Sequence, residues 1–125
     1  MSKLVLEEET YQILGACIQV HKQLGGGFSE SIYREALAKA LSHSEIPFEQ
    51  DKKLPVFYKG HPLSQHVVAD FVCFDKIILE IKALERLHED LKQQVLQFLK
   101  VTNLDISYII NFGEKSLTWK RYINT

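Results

Sequence analysis

Charged side chains interrupt two short apolar segments in the middle of the chain. Asp70 lies in the first segment, and Glu80 and Lys82 lie in the second, on either side of one isoleucine. Both segments are rich in β-favouring residues and predict neighbouring strands. Two carboxylates can hold a divalent cation, and an adjacent ammonium can orient water and stabilise charge on a phosphate. These residues therefore outline a metal-dependent phosphodiesterase site.

Convergence of these side chains depends on the turn between the two strands. Alternate residues of a strand share a face, so Glu80 and Lys82 lie together. Residues that pair across two antiparallel strands share a face, and their residue numbers have a constant sum. Asp70 lies on the face of Glu80 and Lys82 only if that sum is even. A two-residue turn would instead pair Asp70 with Ile81, which faces the other way. We therefore predict a three-residue loop or a β-bulge within residues 74–77.

Helical and strand patterns surround these segments in a defined order. Two amphipathic helices come first, one from its candidate cap Thr10 to the run Gly25–Gly27, and one after its candidate cap Ser29. Strand patterns begin at residue 48, where Pro55 indicates an edge. The later segments are strands over 66–74 and 77–82, a helix over 84–101, and strands over 106–112 and 117–123. The order α-α-β-β-β-β-α-β-β predicts an α/β (α+β) fold, a central mixed sheet flanked by helices, with 77–82 as a central strand.

The composition restricts the classes of protein that fit. The chain has 125 residues, of which 46% are hydrophobic and 25% charged, and its formal net charge is -1. These values predict one domain over residues 1–125 whose contacts with any nucleic acid rely on a local basic patch. No segment has the pattern of a membrane span or a secretory signal, so we expect a cytoplasmic protein. Cys17 and Cys73 lack zinc spacing and are expected to be buried free thiols.

Several short motifs occur in an order that resembles a known family. Gly27, Glu30 and Tyr33 stand in the spacing that names the GxxExxY proteins. The resemblance continues through ADF at 69–71, EIKAL at 80–84, QVLQFL at 94–99 and INF at 110–112. That family is similar to the PD-(D/E)XK nuclease superfamily, although Ala69 replaces the proline of the superfamily motif. The resemblance implies a restriction-endonuclease-like fold and a divalent metal at the Asp and E-x-K positions.

The resemblance also implies roles for individual residues. It places the metal at Asp70 and Glu80, assigns Lys82 to the attacking water, and puts Glu30 beside the metal and Gln94 near the site. Glu30 has an alternative explanation, because an acid in the first turn of a helix is favoured by the helix dipole. Gln94 could equally be a solvent-exposed residue at the edge of its helix.

Two further residues are candidate accessory groups. Tyr33 follows Glu30 on the same helix face and could hydrogen-bond that carboxylate, contact a phosphate or pack in the core. His21 could line the cleft or complement the dipole at the end of its helix. The run Gly25–Gly27 lacks the lysine and hydroxyl residue of a phosphate loop, so no nucleotide cofactor is expected.

With the resemblance included, the leading hypothesis is an Mg²⁺-dependent nuclease, with Mn²⁺ as an alternative metal, that favours DNA over RNA. The second hypothesis is a non-catalytic module of the same fold that binds nucleic acid or protein, in which Lys82 forms ordinary ion pairs with Asp70 or Glu80. A homodimer is compatible with both hypotheses, and no membrane partner is expected. Basic residues could grip a phosphate backbone or simply be solvated: Lys52, Lys53, Lys59, Lys92, Lys120 and Arg121.

Overall fold

A computed structural model describes residues 6–124 of the protein. Its elements are α1 (Glu7–Leu24), α2 (Glu30–His43), β1 (Phe48–Tyr58), β2 (His61–Cys73), β3 (Ile77–Lys82), α3 (Asp90–Thr102), β4 (Ile106–Asn111) and β5 (Thr118–Ile123). None of the helices in this described part is long and apolar enough to cross a membrane.

The strands form one mixed sheet in the order β1-β2-β3-β4-β5. Strands β3 and β4 run parallel, and the other neighbouring pairs are antiparallel. Helix α3 provides the crossover that a parallel pair requires. The predicted α+β class with a mixed sheet is confirmed, as are the central place of β3 and the edge position of the strand that contains Pro55.

Alternation along β3 divides its side chains between two apolar clusters. Ile77, Leu79 and Ile81 pack with residues of α1 and α2 on one face of the sheet. Ile78 packs on the opposite face with Val95 and Leu99 of α3. Cys17 and Cys73 are buried free thiols, as predicted. The charged residues of β3 therefore share the face that α3 covers.

The strand count differs from the prediction, because three strands and not four precede α3. Strand β1 continues through Pro55 to Tyr58, and β2 begins at His61 and not at residue 66. Lys59 (φ 51) and Gly60 (φ 80) both have left-handed backbones. They form a two-residue turn that is tight enough for β1 and β2 to pair directly on either side of it. The polar start of β2 hid this pairing, since it lacks an apolar alternation.

Two predicted helix starts are also wrong. Thr10 lies inside α1, which begins at Glu7, and its hydroxyl accepts a hydrogen bond from the Tyr108 hydroxyl at 3.2 Å. Helix α3 begins at Asp90 and not at residue 84. Leu84 lies in a loop before α3, because the side chain of Asn111 in β4 hydrogen-bonds its backbone. Ser29 does stand at the N-cap position of α2, although its side chain makes no capping hydrogen bond.

Candidate active site

A three-residue turn joins β2 to β3. Cys73 pairs with Ile77, which leaves Phe74, Asp75 and Lys76 outside the ladder. Phe74 (φ 56) and Asp75 (φ 60) adopt left-handed backbones that are uncommon for residues other than glycine. The N–H of Lys76 closes the turn by donating to the Cys73 carbonyl at 3.1 Å. The predicted three-residue loop is confirmed, and its register has the even sum that convergence requires.

Asp70 is therefore placed opposite Glu80, on the same face of the sheet. Its Oδ2 accepts a hydrogen bond from the backbone N–H of Ile81 at 2.7 Å. Its Oδ1 lies 3.8 Å from Nε of Arg34, and the same guanidinium donates a hydrogen bond to Asp51 of β1. A backbone donor and an arginine thus fix the Asp70 carboxylate at the end of the β2–β3 ladder.

Glu80 is largely buried, and its Oε2 has no hydrogen-bond partner among residues 6–124. Burial and, to a smaller extent, the charge of Asp70 raise the pKa of this carboxyl to about 8, although the charge of Lys82 opposes the change. A buried carboxylate without a donor is costly unless a cation or a proton compensates its charge. Glu80 is therefore a group that would gain strongly from a bound cation.

A cavity of about 90 Å³ lies between β3 and α3, next to Glu80. Lys82, Gln94 and Ser107 also line it, and apolar side chains of α3 and β4 form the remaining wall. The hydroxyl of Ser107 is buried and, within the described chain, has no hydrogen-bond partner. The cavity has room for water beside two orphaned polar atoms. Glu80, Lys82 and the solvent-exposed Gln94 thus all border one small cavity.

Glu30 is placed at the edge of this arrangement. It is the exposed first residue of α2 and lies one helical turn before Arg34, whose guanidinium faces Asp70. Within residues 6–124 no group of three or more His, Cys, Asp or Glu side chains is arranged to hold a metal ion. The carboxylates that do meet are those of Asp70 and Glu80. This pair fits Mg²⁺, because proteins commonly bind Mg²⁺ through one or two carboxylates and leave its other positions to water and phosphate.

Tyr33 and His21 lie on the side of the sheet that α1 and α2 cover. Tyr33 is fully buried, and its hydroxyl donates to the Gly25 carbonyl at 2.5 Å and accepts from the Phe28 N–H at 3.2 Å. His21 is also buried, with Nε2 2.9 Å from the carbonyl oxygen of Glu114. The recorded bonds of Tyr33 therefore go to the glycine segment and not to Glu30, and those of His21 do not reach the carboxylate pair.

Arg34 and Asn111 take part in positioning the site, although neither was assigned a role from the sequence. Asn111 ends β4, and its fully buried amide accepts from the Leu84 N–H at 2.8 Å and donates to the Leu84 carbonyl at 3.0 Å. These bonds tie the segment after Lys82 to the neighbouring strand. An asparagine within an apolar strand was the available signal for this residue. Arg34 had a weaker one, its position four residues after Glu30 on the same helix.

No curated protein and no solved structure gives a significant match to this chain. The family model of the PD-(D/E)XK nuclease superfamily matches residues 7–122. That match includes the Asp70 strand, the Glu80–Lys82 strand and the helix that carries Gln94. The chain therefore belongs to the PD-(D/E)XK nuclease superfamily.

Proposed function

We propose that this protein is an Mg²⁺-dependent nuclease that hydrolyses nucleic-acid phosphodiester bonds, with Mn²⁺ as an alternative metal. The observation that carries the proposal is the environment of Glu80. Its Oε2 is buried without a hydrogen-bond partner among residues 6–124, and its carboxyl group stands opposite Asp70 and shares a cavity with Lys82. Superfamily membership supports a nucleic-acid substrate, and the superfamily resemblance favours DNA over RNA.

Each residue has a distinct role in this proposal. Asp70 and Glu80 would hold the metal, and Glu30, exposed at the start of α2, would assist them directly or through water. Bound Mg²⁺ supplies Lewis-acid polarisation of the phosphate and lowers the pKa of a water molecule. Lys82 orients that water and stabilises charge on the phosphate oxygens, and the amide of Gln94 hydrogen-bonds the phosphate at the cavity.

The alternative of a non-catalytic module rests on an ordinary ion pair at Lys82. Within residues 6–124, Lys82 forms no ion pair with Asp70 or Glu80, and the arginine beside Asp70 is shared with Asp51. A carboxylate pair that merely stabilised the sheet would be expected to have a close cationic partner on each member. This arrangement supports the catalytic proposal over the binding module.

The decisive experiment is cleavage of single-stranded and duplex DNA and RNA in Mg²⁺ by the wild type, Lys82→Ala and Lys39→Ala. Lys39 is an exposed lysine of α2 and serves as the matched control. We expect Lys82→Ala to lose roughly 100-fold or more in rate, as is typical when a positioned proton-transfer group is removed, and Lys39→Ala to retain the rate. Equal rates for the wild type and Lys82→Ala would remove Lys82 from the mechanism.

Metal binding can be tested without cleavage. We expect Mg²⁺ or Mn²⁺ to raise the melting temperature of the wild type, because a ligand that binds only the folded state stabilises it. Asp70→Asn should abolish that increase. An identical response of the two proteins, or no response in either, would favour the binding module.

A further inference from the structure

The β1–β2 hairpin extends well beyond the rest of the sheet. Strand β2 pairs with β3 only over Phe71–Cys73, whereas its ladder with β1 continues to the pair Tyr58 and His61. We call residues 53–68 the arm. At about 3.3 Å per residue, the ten or so positions from Asp70 to the tip of the arm span roughly 30 Å. The arm is thus a long two-stranded ribbon that starts beside the candidate active site.

Only the base of the arm is packed against the core. Leu54 and Val67 join the apolar cluster of α3, but no residue from 55 to 66 belongs to either cluster within the described chain. The pair Lys53 and Val68 is exposed, and Val68 keeps 47% of its surface accessible. Tyr58 (61%) and Leu63 (46%) are exposed near the tip. A two-stranded ribbon is only marginally stable in water, so this surface is suited to being covered by another molecule.

The arm contains no acidic residue, although the chain as a whole is weakly acidic. The protein has 16 acidic residues and a net charge of -1. None of those acids falls between Lys52 and Ala69, a stretch that holds three lysines and two histidines. The arm itself holds two of these lysines, Lys53 and Lys59, and therefore carries a local positive charge that complements a polyanion.

The shape of the arm selects among polyanions and other partners. Two strands lie about 4.8 Å apart, and with their side chains such a ribbon matches the major groove of B-form DNA, about 12 Å wide. The major groove of duplex RNA is too narrow for side chains to read. Pairing with a second copy of the chain is disfavoured, since Pro55 and Pro62 lack ladder donors and the lysines of two arms would repel.

We infer that the arm enters the major groove of duplex DNA and holds the duplex against the site of Asp70 and Glu80. The inference rests on the proposed nuclease function and adds to it both a substrate class, duplex DNA, and the element that grips it. Lys53 and Lys59 contact phosphates, and the exposed apolar side chains lie along the groove. The reach of the arm is about one helical turn of the duplex, the distance needed to hold DNA on one side of a cut.

Binding of the full chain can be measured in EDTA, so that cleavage plays no part. The probe is the fluorescence anisotropy of a labelled 20-base-pair DNA duplex, of an RNA duplex of equivalent sequence and of the single DNA strand, at several salt concentrations. The test variant is Lys53→Glu/Lys59→Glu, and the control is Lys22→Glu/Lys39→Glu, which makes the same charge change on exposed lysines of α1 and α2.

We expect the wild type to bind duplex DNA more tightly than either other probe. The arm variant should lose about tenfold or more in affinity, and its slope of log K against log salt should become shallower by about two. The control should stay within about twofold of the wild type. A Lys53→Gln/Lys59→Gln variant, which removes charge without reversing it, should lose affinity to a smaller degree, and circular dichroism would verify that each variant is folded.

Three results would overturn the inference. The first is equal loss in the arm variant and the control, and the second is equal affinity for the DNA and RNA duplexes. The third is a wild-type dimer in sedimentation velocity that the arm substitutions dissociate while DNA affinity is unchanged, which would assign the arm to a second copy of the chain. Failure of the nuclease proposal gives a different result. If the protein binds DNA through the arm but does not cleave it in Mg²⁺, the role of the arm in binding stands and only the proposed catalysis is refuted.

Discussion

Glu80→Gln should stabilise the metal-free protein at neutral and alkaline pH. The substitution keeps the shape of a largely buried side chain and removes its ability to ionise. Burial and the charge of Asp70 raise the pKa of this carboxyl from 4.5 to about 8, so the folded chain holds a proton that the unfolded chain releases within that interval. The wild type therefore loses stability as the pH rises from 4.5 to about 8, and the dependence ends above that value.

The size of the effect follows from the interval. Each pH step of one between these two values lowers the free energy of unfolding by about 1.4 kcal/mol. Between pH 5 and pH 8 the stability of Glu80→Gln relative to the wild type should therefore rise by at most about 4 kcal/mol. Relaxation around the ionised group reduces this figure, and an increase of about 2 kcal/mol would still be well above the error of the measurement.

Urea denaturation in EDTA at pH 5, 6, 7 and 8 measures the difference directly. Comparison with the wild type at each pH removes the titration of all other groups from the result. Glu35→Gln, which neutralises an exposed acid of α2, is the matched control and should show no comparable rise. A difference between Glu80→Gln and the wild type that stays constant from pH 5 to pH 8 would refute the account of Glu80 as a buried, uncompensated acid.

Three other substitutions probe the surroundings of the site. Arg34→Gln removes the guanidinium beside Asp70 and should lower the Mg²⁺ concentration for half-maximal thermal stabilisation about fivefold, since about 1 kcal/mol of charge repulsion is removed; an unchanged Mg²⁺ requirement would contradict this. Tyr33→Phe loses the hydrogen bond to the Gly25 carbonyl and should cost about 1 kcal/mol in urea denaturation, whereas no loss would show that the bond is dispensable. Gly113→Ala should destabilise by several kcal/mol, because its methyl group would meet the backbone of Leu84, and a wild-type melting temperature would disprove that contact.

The central place of β3 and the turn before it could be predicted because local signals determine them. Charged residues at alternate positions of an apolar strand identified Glu80 and Lys82. Because side chains alternate between the two faces of a strand, Asp70 could join them only across a turn with an odd number of residues. The turn observed at Phe74–Lys76 meets that requirement. The α+β class followed in the same way from periodicity and turn residues.

The features that escaped prediction depend on contacts between distant parts of the chain. Leu84 continues a helical pattern, yet Asn111, which follows it by 27 residues, binds its backbone and holds it in a loop. The ion pair of Arg34 with Asp51 joins α2 to an edge strand, and no spacing rule connects them. The length of the arm was hidden for another reason, because a ribbon exposed on both faces does not need the apolar alternation by which strands are recognised.

The length of the turn between Cys73 and Ile77 sets the register of β2 against β3, and therefore the face to which each side chain points. If one of its residues were deleted, alternation would rotate Asp70 toward the layer of α1 and α2 and bring an apolar neighbour onto the face of α3. The site and the core would then be lost together, although every strand residue would still be present. This turn should therefore tolerate substitutions but not insertions or deletions. Its length, and not its amino-acid composition, is the property that the site requires.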